Sequence, residues 1–87
     1  MVEAVNLAEK LKLFTEHWSP KIVSEYNGNE VMVVKFQGAY AWHKHDDTDD
    51  FFYVLKGHIR LETEHGNVEM DAGDLYVVPR GVMHRPV

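Results

Sequence analysis

The chain has 87 residues, 45% hydrophobic and 26% charged, which is the composition of one globular domain and excludes a disordered tail. It holds no cysteine, which excludes thiolate zinc sites, thiol nucleophiles and structural disulfides and leaves His, carboxylate or backbone oxygen to bind any metal. Fourteen acidic residues outnumber nine basic ones for a net charge of −5, and the scattered Lys and Arg exclude a nucleic-acid surface.

Met1-Val2-Glu3-Ala4-Val5-Asn6 carries an early acid and no basic region, so no signal peptide is expected. Asn6-Leu7-Ala8-Glu9 reads as a helix start, with Asn6 as cap, and Leu7, Leu11 and Phe14 recur at helical spacing; a helix is predicted over Leu7–Phe14. Pro20 closes this segment and the period turns strand-like. Lys21–Tyr26 and Val31–Phe36 flank Asn27-Gly28, a strong hairpin signal because both residues tolerate positive φ. Further strands are predicted at Tyr40–Lys44, Phe51–Lys56, His58–Glu64, Asn67–Met70 and Leu75–Val78, between Gly- and Asp-containing turns. Short strands at such intervals indicate an all-β sandwich or small barrel. The apolar run Phe51–Leu55 is far short of the roughly 20 residues that span a bilayer, so no membrane partner is expected and a cytoplasmic protein is the default.

His43 and His45 stand two apart, which in a strand puts both imidazoles on one face, with Tyr40, Trp42 and Lys44 on the other. They can meet one metal ion; surface or hydrogen-bonded histidines are the alternative. Asp50 ends the acidic run Asp46-Asp47-Thr48-Asp49-Asp50 and shares a face with Phe52 and Val54, where it can supply a hard oxygen ligand. The other aspartates read as a charged turn. Near the C-terminus, Pro79 and Gly81 turn the chain so that His84 can be aimed at a fixed point. His58 falls on an outward face with Arg60 and Glu62, and His65 in a turn, so neither is expected to be a ligand. His17 and Trp18 are assigned to packing or surface.

These two segments together resemble the cupin family. Its first motif, a Gly, His-x-His, a carboxylate and a closing Gly, is met by Gly38, His43, His45, Asp50 and Gly57; its second, Gly-x5-Pro-x-Gly-x2-His, is met in every spacing by Gly73, Pro79, Gly81 and His84. Asp50 stands where the family usually has the longer Glu, and Gly38 lies one residue closer to His43 than the pattern. The resemblance implies a small antiparallel β-barrel or jelly roll behind a short N-terminal helix. Residues 1–20 form the helix and lead-in, and residues 21–87 the barrel domain, with motifs at about 38–57 and 73–87.

The resemblance further implies that His43, His45, Asp50 and His84 hold a divalent transition metal, for which Fe, Mn, Ni, Zn and Cu are all compatible. Phe36, Phe52, Val54 and Ile59 by strand parity, with Met83 near His84, are candidates to line a pocket for a small polar or aromatic molecule. Metal-dependent chemistry of the oxygenase or isomerase/epimerase type is one expectation. A metal-free binding or structural cupin, with the histidines in a hydrogen-bonded cluster, is the alternative. Because Val87 comes before the last strands such a barrel normally has, C-terminal strands are expected to be missing. A homodimer through sheet edges such as Ile22–Tyr26 would complete the sheet, unless the chain is shortened.

Overall fold

The computed structural model describes residues 3–87, so Met1 and Val2, the start of the segment expected not to act as a leader, lie outside the described residues. The elements in order are α1 (Leu7–Leu11), β1 (Lys21–Tyr26), β2 (Asn29–Val33), β3 (Asp50–Tyr53), β4 (His58–Thr63), β5 (Gly66–Asp71), β6 (Leu75–Val78) and β7 (His84–Pro86). They fall into two compact units, one ending at Gln37 and one spanning Gly38–Val87.

In the first unit the Asn6 side chain caps α1, accepting a 2.9 Å bond from the Glu9 N–H as the sequence predicts. The Glu9 carboxylate pairs with Lys12 at 3.3 Å. The helix stops at Leu11, short of the expected Phe14. Phe14 is instead buried outside it, with the Lys35 ammonium 4.7 Å from its ring centre and 2.6 Å from its backbone oxygen. β1 and β2 form the predicted hairpin, with Asn27 at φ 51° and Gly28 at φ 75°. The second strand starts at Asn29 and ends at Val33, earlier than expected at both ends.

The second unit packs two sheets on one core. β3 pairs with β6, and β4 lies between β5 and β7, all antiparallel. Val54, Leu61, Met70 and Val78 are buried between them, with Phe52, Ile59, Val68, Tyr76 and Val82 packed around. Each of the four buried side chains stabilises the fold by about 1.5–3 kcal/mol relative to exposure. The strands follow the predicted period: in β3 and β6, Phe51, Tyr53, Leu75 and Val77 face outward and Phe52, Tyr76 and Val78 inward. β3 ends at Tyr53 because Val54 turns to exchange backbone bonds with Gly73 and Asp74, 2.8 and 3.0 Å.

Two expectations are corrected. Tyr40–Lys44 is not a strand; it makes one bridge, His43 to His84, with N–H···O distances of 3.0 and 2.8 Å. A ladder needs an extended partner on both sides of the bridge, and ahead of β7 the chain curls through Pro79–Val82, closed by a 3.2 Å bond from the Val82 N–H to the Pro79 oxygen. Conversely, β7 is a strand the sequence pattern did not mark. Arg60 and Val87 exchange both backbone bonds, so the alternation puts Pro86 opposite Leu61 at a position without ladder bonds to β4; on its other side the Pro86 oxygen accepts from the Tyr40 N–H and no N–H returns the bond.

On the outer face of the β4–β5 pair, His58 lies between two carboxylates: Nδ1 is 2.8 Å from Asp71 Oδ1 and Nε2 is 2.6 Å from Glu69 Oε2. Both ring nitrogens must donate, which requires the imidazolium. The bond to Asp71, then that to Glu69, raises the His58 pKa above its ordinary value of 6.5. A raised folded value means that the clamp stabilises fully below the unfolded value and is lost as pH rises through the folded one. The stability difference between the wild type and His58→Gln in urea is expected to be larger at pH 5.5–6, about half a unit or more below the reference His value, than at pH 9. An equal difference at both would show that the clamp contributes nothing.

Candidate metal centre

His84 enters the core from the first residue of β7 and is 1% exposed, the one buried polar or charged residue among those described. The reciprocal backbone bridge to His43 sets the two imidazoles side by side, ring centres 4.4 Å apart. His45 reaches the same point because its backbone oxygen accepts a 2.6 Å bond from the Gly81 N–H. Its ring lies 5.2 Å from that of His43 and 5.8 Å from that of His84. Asp50 opens β3 opposite Val78 and turns its carboxylate inward. One ligand atom from each of His43, His45, Asp50 and His84 lies within 4.8 Å of every other.

The ring nitrogens have distinct roles. His43 Nδ1 is 2.8 Å from the Ala41 oxygen and His84 Nδ1 is 2.9 Å from the Val82 oxygen. A backbone oxygen only accepts, so Nδ1 carries the proton in both rings and in a neutral imidazole the Nε2 lone pair is free for a cation. His84 Nε2 is 3.1 Å and His45 Nε2 3.3 Å from one atom, Asp50 Oδ2. Such contacts need either a proton on the nitrogen, which each ring can carry for itself, or a cation between the groups. A divalent cation serves three nitrogens and the oxygen together, so three imidazoles and a carboxylate fit such an ion. The shorter Asp at position 50 does not keep this oxygen from the histidines.

Asp49 was grouped by the sequence pattern with the charged turn, yet its Oδ1 accepts a 2.9 Å bond from the Arg80 N–H and lies 3.8 Å from Arg80 Nε. The turn before β7 therefore takes hold of the acidic loop next to Asp50 as well as of His45. Tyr40, expected on the opposite face, meets the His43 ring edge-on at 5.5 Å. Without a strand there, alternation does not govern its direction. Among the expected lining residues, Phe52 lies edge-on to His84 at 6.1 Å, Val54 and Ile59 belong to the core, and Met83 is half-buried with its N–H on the Glu64 carboxylate at 2.9 Å. Phe36 stacks on Trp18 at 4.5 Å in the first unit.

Comparison with known proteins gives the family. The family model described as "Cupin domain" matches residues 30–87. The chain belongs to the cupin family. A crystal structure of a cupin-2 domain containing protein from Shewanella frigidimarina NCIMB 400 superposes with a TM-score of 0.92 at 38% identity, over 95% of this chain and 81% of that one. Protein NMB1881 from Neisseria meningitidis superposes with a TM-score of 0.87 at 32% identity, over 97% of this chain and 86% of that one. The uncharacterized protein YdbB of Bacillus subtilis (strain 168) is 34% identical over 64 residues, 72% of this cupin and 57% of that protein. The all-β cupin fold with its short helix is thus as expected from the motifs. Among the described residues no helix is long and apolar enough to cross a membrane.

Gly81 is the pivot of this cupin's ligand-gathering turn, at φ 81° with open space where a Cβ would stand. Gly81→Ala therefore carries only the backbone penalty, about 1–2 kcal/mol, and is expected to lower the thermal midpoint by about 4–8 °C for each kcal/mol. A midpoint equal to that of the wild type would show that the turn tolerates another conformation.

Proposed function

We propose that this cupin binds a divalent transition metal through His43, His45, Asp50 and His84, and at that centre a small polar or aromatic molecule. The observation that carries the reading is the convergence of two Nε2 atoms on one Asp50 oxygen while His84, like His43, keeps its Nδ1 proton on a backbone carbonyl. When bound, the metal supplies Lewis acidity, and four protein donors leave room in a six-coordinate shell for a second ligand. The protein's own part is to fix ring orientation through Ala41 and Val82, and to keep water from His84 by burial. Phe52 and Tyr40 present ring edges to the histidines and favour a flat or aromatic ligand beside them. Oxygenase- or isomerase-type chemistry on that molecule is the activity this arrangement best suits.

A metal-free binding cupin is the second reading, favoured by one observation: among the described residues no buried side-chain nitrogen or oxygen lacks a hydrogen-bond partner. Elemental analysis of protein purified without an affinity column separates the two. The first reading expects stoichiometric metal and its loss in His43→Ala. It also expects stabilisation on adding metal back, about 2.7 kcal/mol at a hundred times Kd. Metal-free wild type whose thermal midpoint ignores added metal would decide for the second.

The reading includes a homodimer. β1–β2 and β3–β6 are two-stranded sheets, so each strand keeps an edge without a strand partner. The outward face of β3–β6 is apolar throughout, with Phe51 64% and Leu75 59% exposed. Light scattering is expected to give a dimer for the wild type and a monomer for Phe51→Glu. A wild type that stays monomeric at high concentration would remove this part of the proposal.

A further inference from the structure

The two histidines joined by the backbone bridge each have a neighbour on the opposite side of the chain, and these neighbours meet. Arg85 follows His84 and Trp42 precedes His43; the Arg85 guanidinium carbon lies 5.2 Å from the centre of the Trp42 ring. Arg85 is held in turn. It pairs across the ladder with Glu62, and its Nε donates to Glu62 Oε1 at 2.7 Å, while Arg60 Nε donates to Glu62 Oε2 at 3.0 Å. The Glu62 side chain is 14% exposed, so these charge-assisted bonds are partly shielded from water. The Arg85 bond, with the smaller effect of Arg60, holds the Glu62 carboxyl below its ordinary value.

This network matters because the segment carrying His43 has little else in the way of backbone pairing. The reciprocal bridge and a 3.0 Å bond from the Tyr40 N–H to the Pro86 oxygen are its backbone links to β7, and no ladder continues them. Fixed at isolated points and not by a ladder, through the bridge, the Tyr40 bond and the 2.6 Å bond from the Gly81 N–H to the His45 oxygen, the stretch between them resists a pivot about the bridge less than a paired strand would. A cation–π contact on the reverse side opposes that pivot and is worth about 0.5–1 kcal/mol at an exposed site and more when shielded.

We propose that Glu62, Arg85 and Trp42 are positioning residues that brace the His43 segment against β7 from behind. In doing so they hold the His43 ring in the orientation in which Nδ1 bonds Ala41 and Nε2 faces the site. The consequence for affinity rests on the metal reading given above; the orientation itself does not.

The test therefore has two readouts on the full chain. Long-range 1H–15N spectra of the metal-free protein at mildly alkaline pH report the His43 tautomer. Cobalt(II) titration, followed by its visible bands, reports affinity and geometry. Wild type is expected to show His43 protonated at Nδ1 alone. Trp42→Leu and Arg85→Gln are expected to give a tautomer mixture, altered cobalt bands and about tenfold weaker binding, the low end for outer partners of metal ligands. Trp42→Phe, which keeps a ring for the guanidinium, is expected to restore the wild-type spectra. Should the wild type take no cobalt, the metal reading falls and the His43 tautomer alone decides on the brace. An unchanged tautomer in folded Trp42→Leu and Arg85→Gln overturns it.

Discussion

The structure depends on one buried imidazole. His84 sits in a core otherwise made of Val54, Leu61, Met70 and Val78, where an unpaired polar ring would cost several kcal/mol. Its burial is tolerable because each ring nitrogen has an oxygen, Val82 on one side and Asp50 on the other. The Asp50 partner brings a negative charge into a partly shielded place, which only a ring N–H or a cation facing it can offset. Satisfying His84 thus assembles a cluster whose donor set suits a divalent cation.

The turn Pro79–Val82 does most of the gathering. Through N–H groups at Arg80 and Gly81 it holds Asp49 and His45, and through the Val82 oxygen it orients His84. Three residues of backbone thereby bring together side chains up to 39 positions apart in the chain. A continued ladder from His43 would have left no room for this turn. The turn ends the pairing on the His45 side of the bridge, and Pro86, which has no N–H, ends it on the Tyr40 side. The same shortage of pairing makes the contact between Trp42 and Arg85 more consequential than an exposed cation–π pair ordinarily is.

The two sheets divide the work. The inner faces bury the core and present Asp50, Phe52 and His84 to one another, while the outer faces differ in chemistry. That of β5–β4–β7 is charged and self-satisfied, with His58 between Glu69 and Asp71 and Glu62 between Arg60 and Arg85. That of β3–β6 is apolar and exposed. The first face is matched to water by its paired charges; the second leaves Phe51, Tyr53, Leu75 and Val77 exposed side by side.

Much of this was legible in the residues alone. Alternation marks the faces of β3, β4 and β6 because a strand's period of two does not depend on its partner. Asn27-Gly28 marks its hairpin because positive φ is a local property. The spacings around His43, His45, Asp50 and His84 name the four ligand candidates. Other features were not legible, for reasons of register. Which oxygen fixes each imidazole, that Asp49 grips the Arg80 N–H, that Tyr40 turns toward His43, and that Arg85 stacks on Trp42 all follow from how distant segments align. So does the strand status of His84–Pro86, which depends on Pro86 falling at a position opposite Leu61 where no ladder bond is needed. Local chemistry supplied the candidate ligands and the turns; only the packed chain, by setting which residues face each other, brought them to one place.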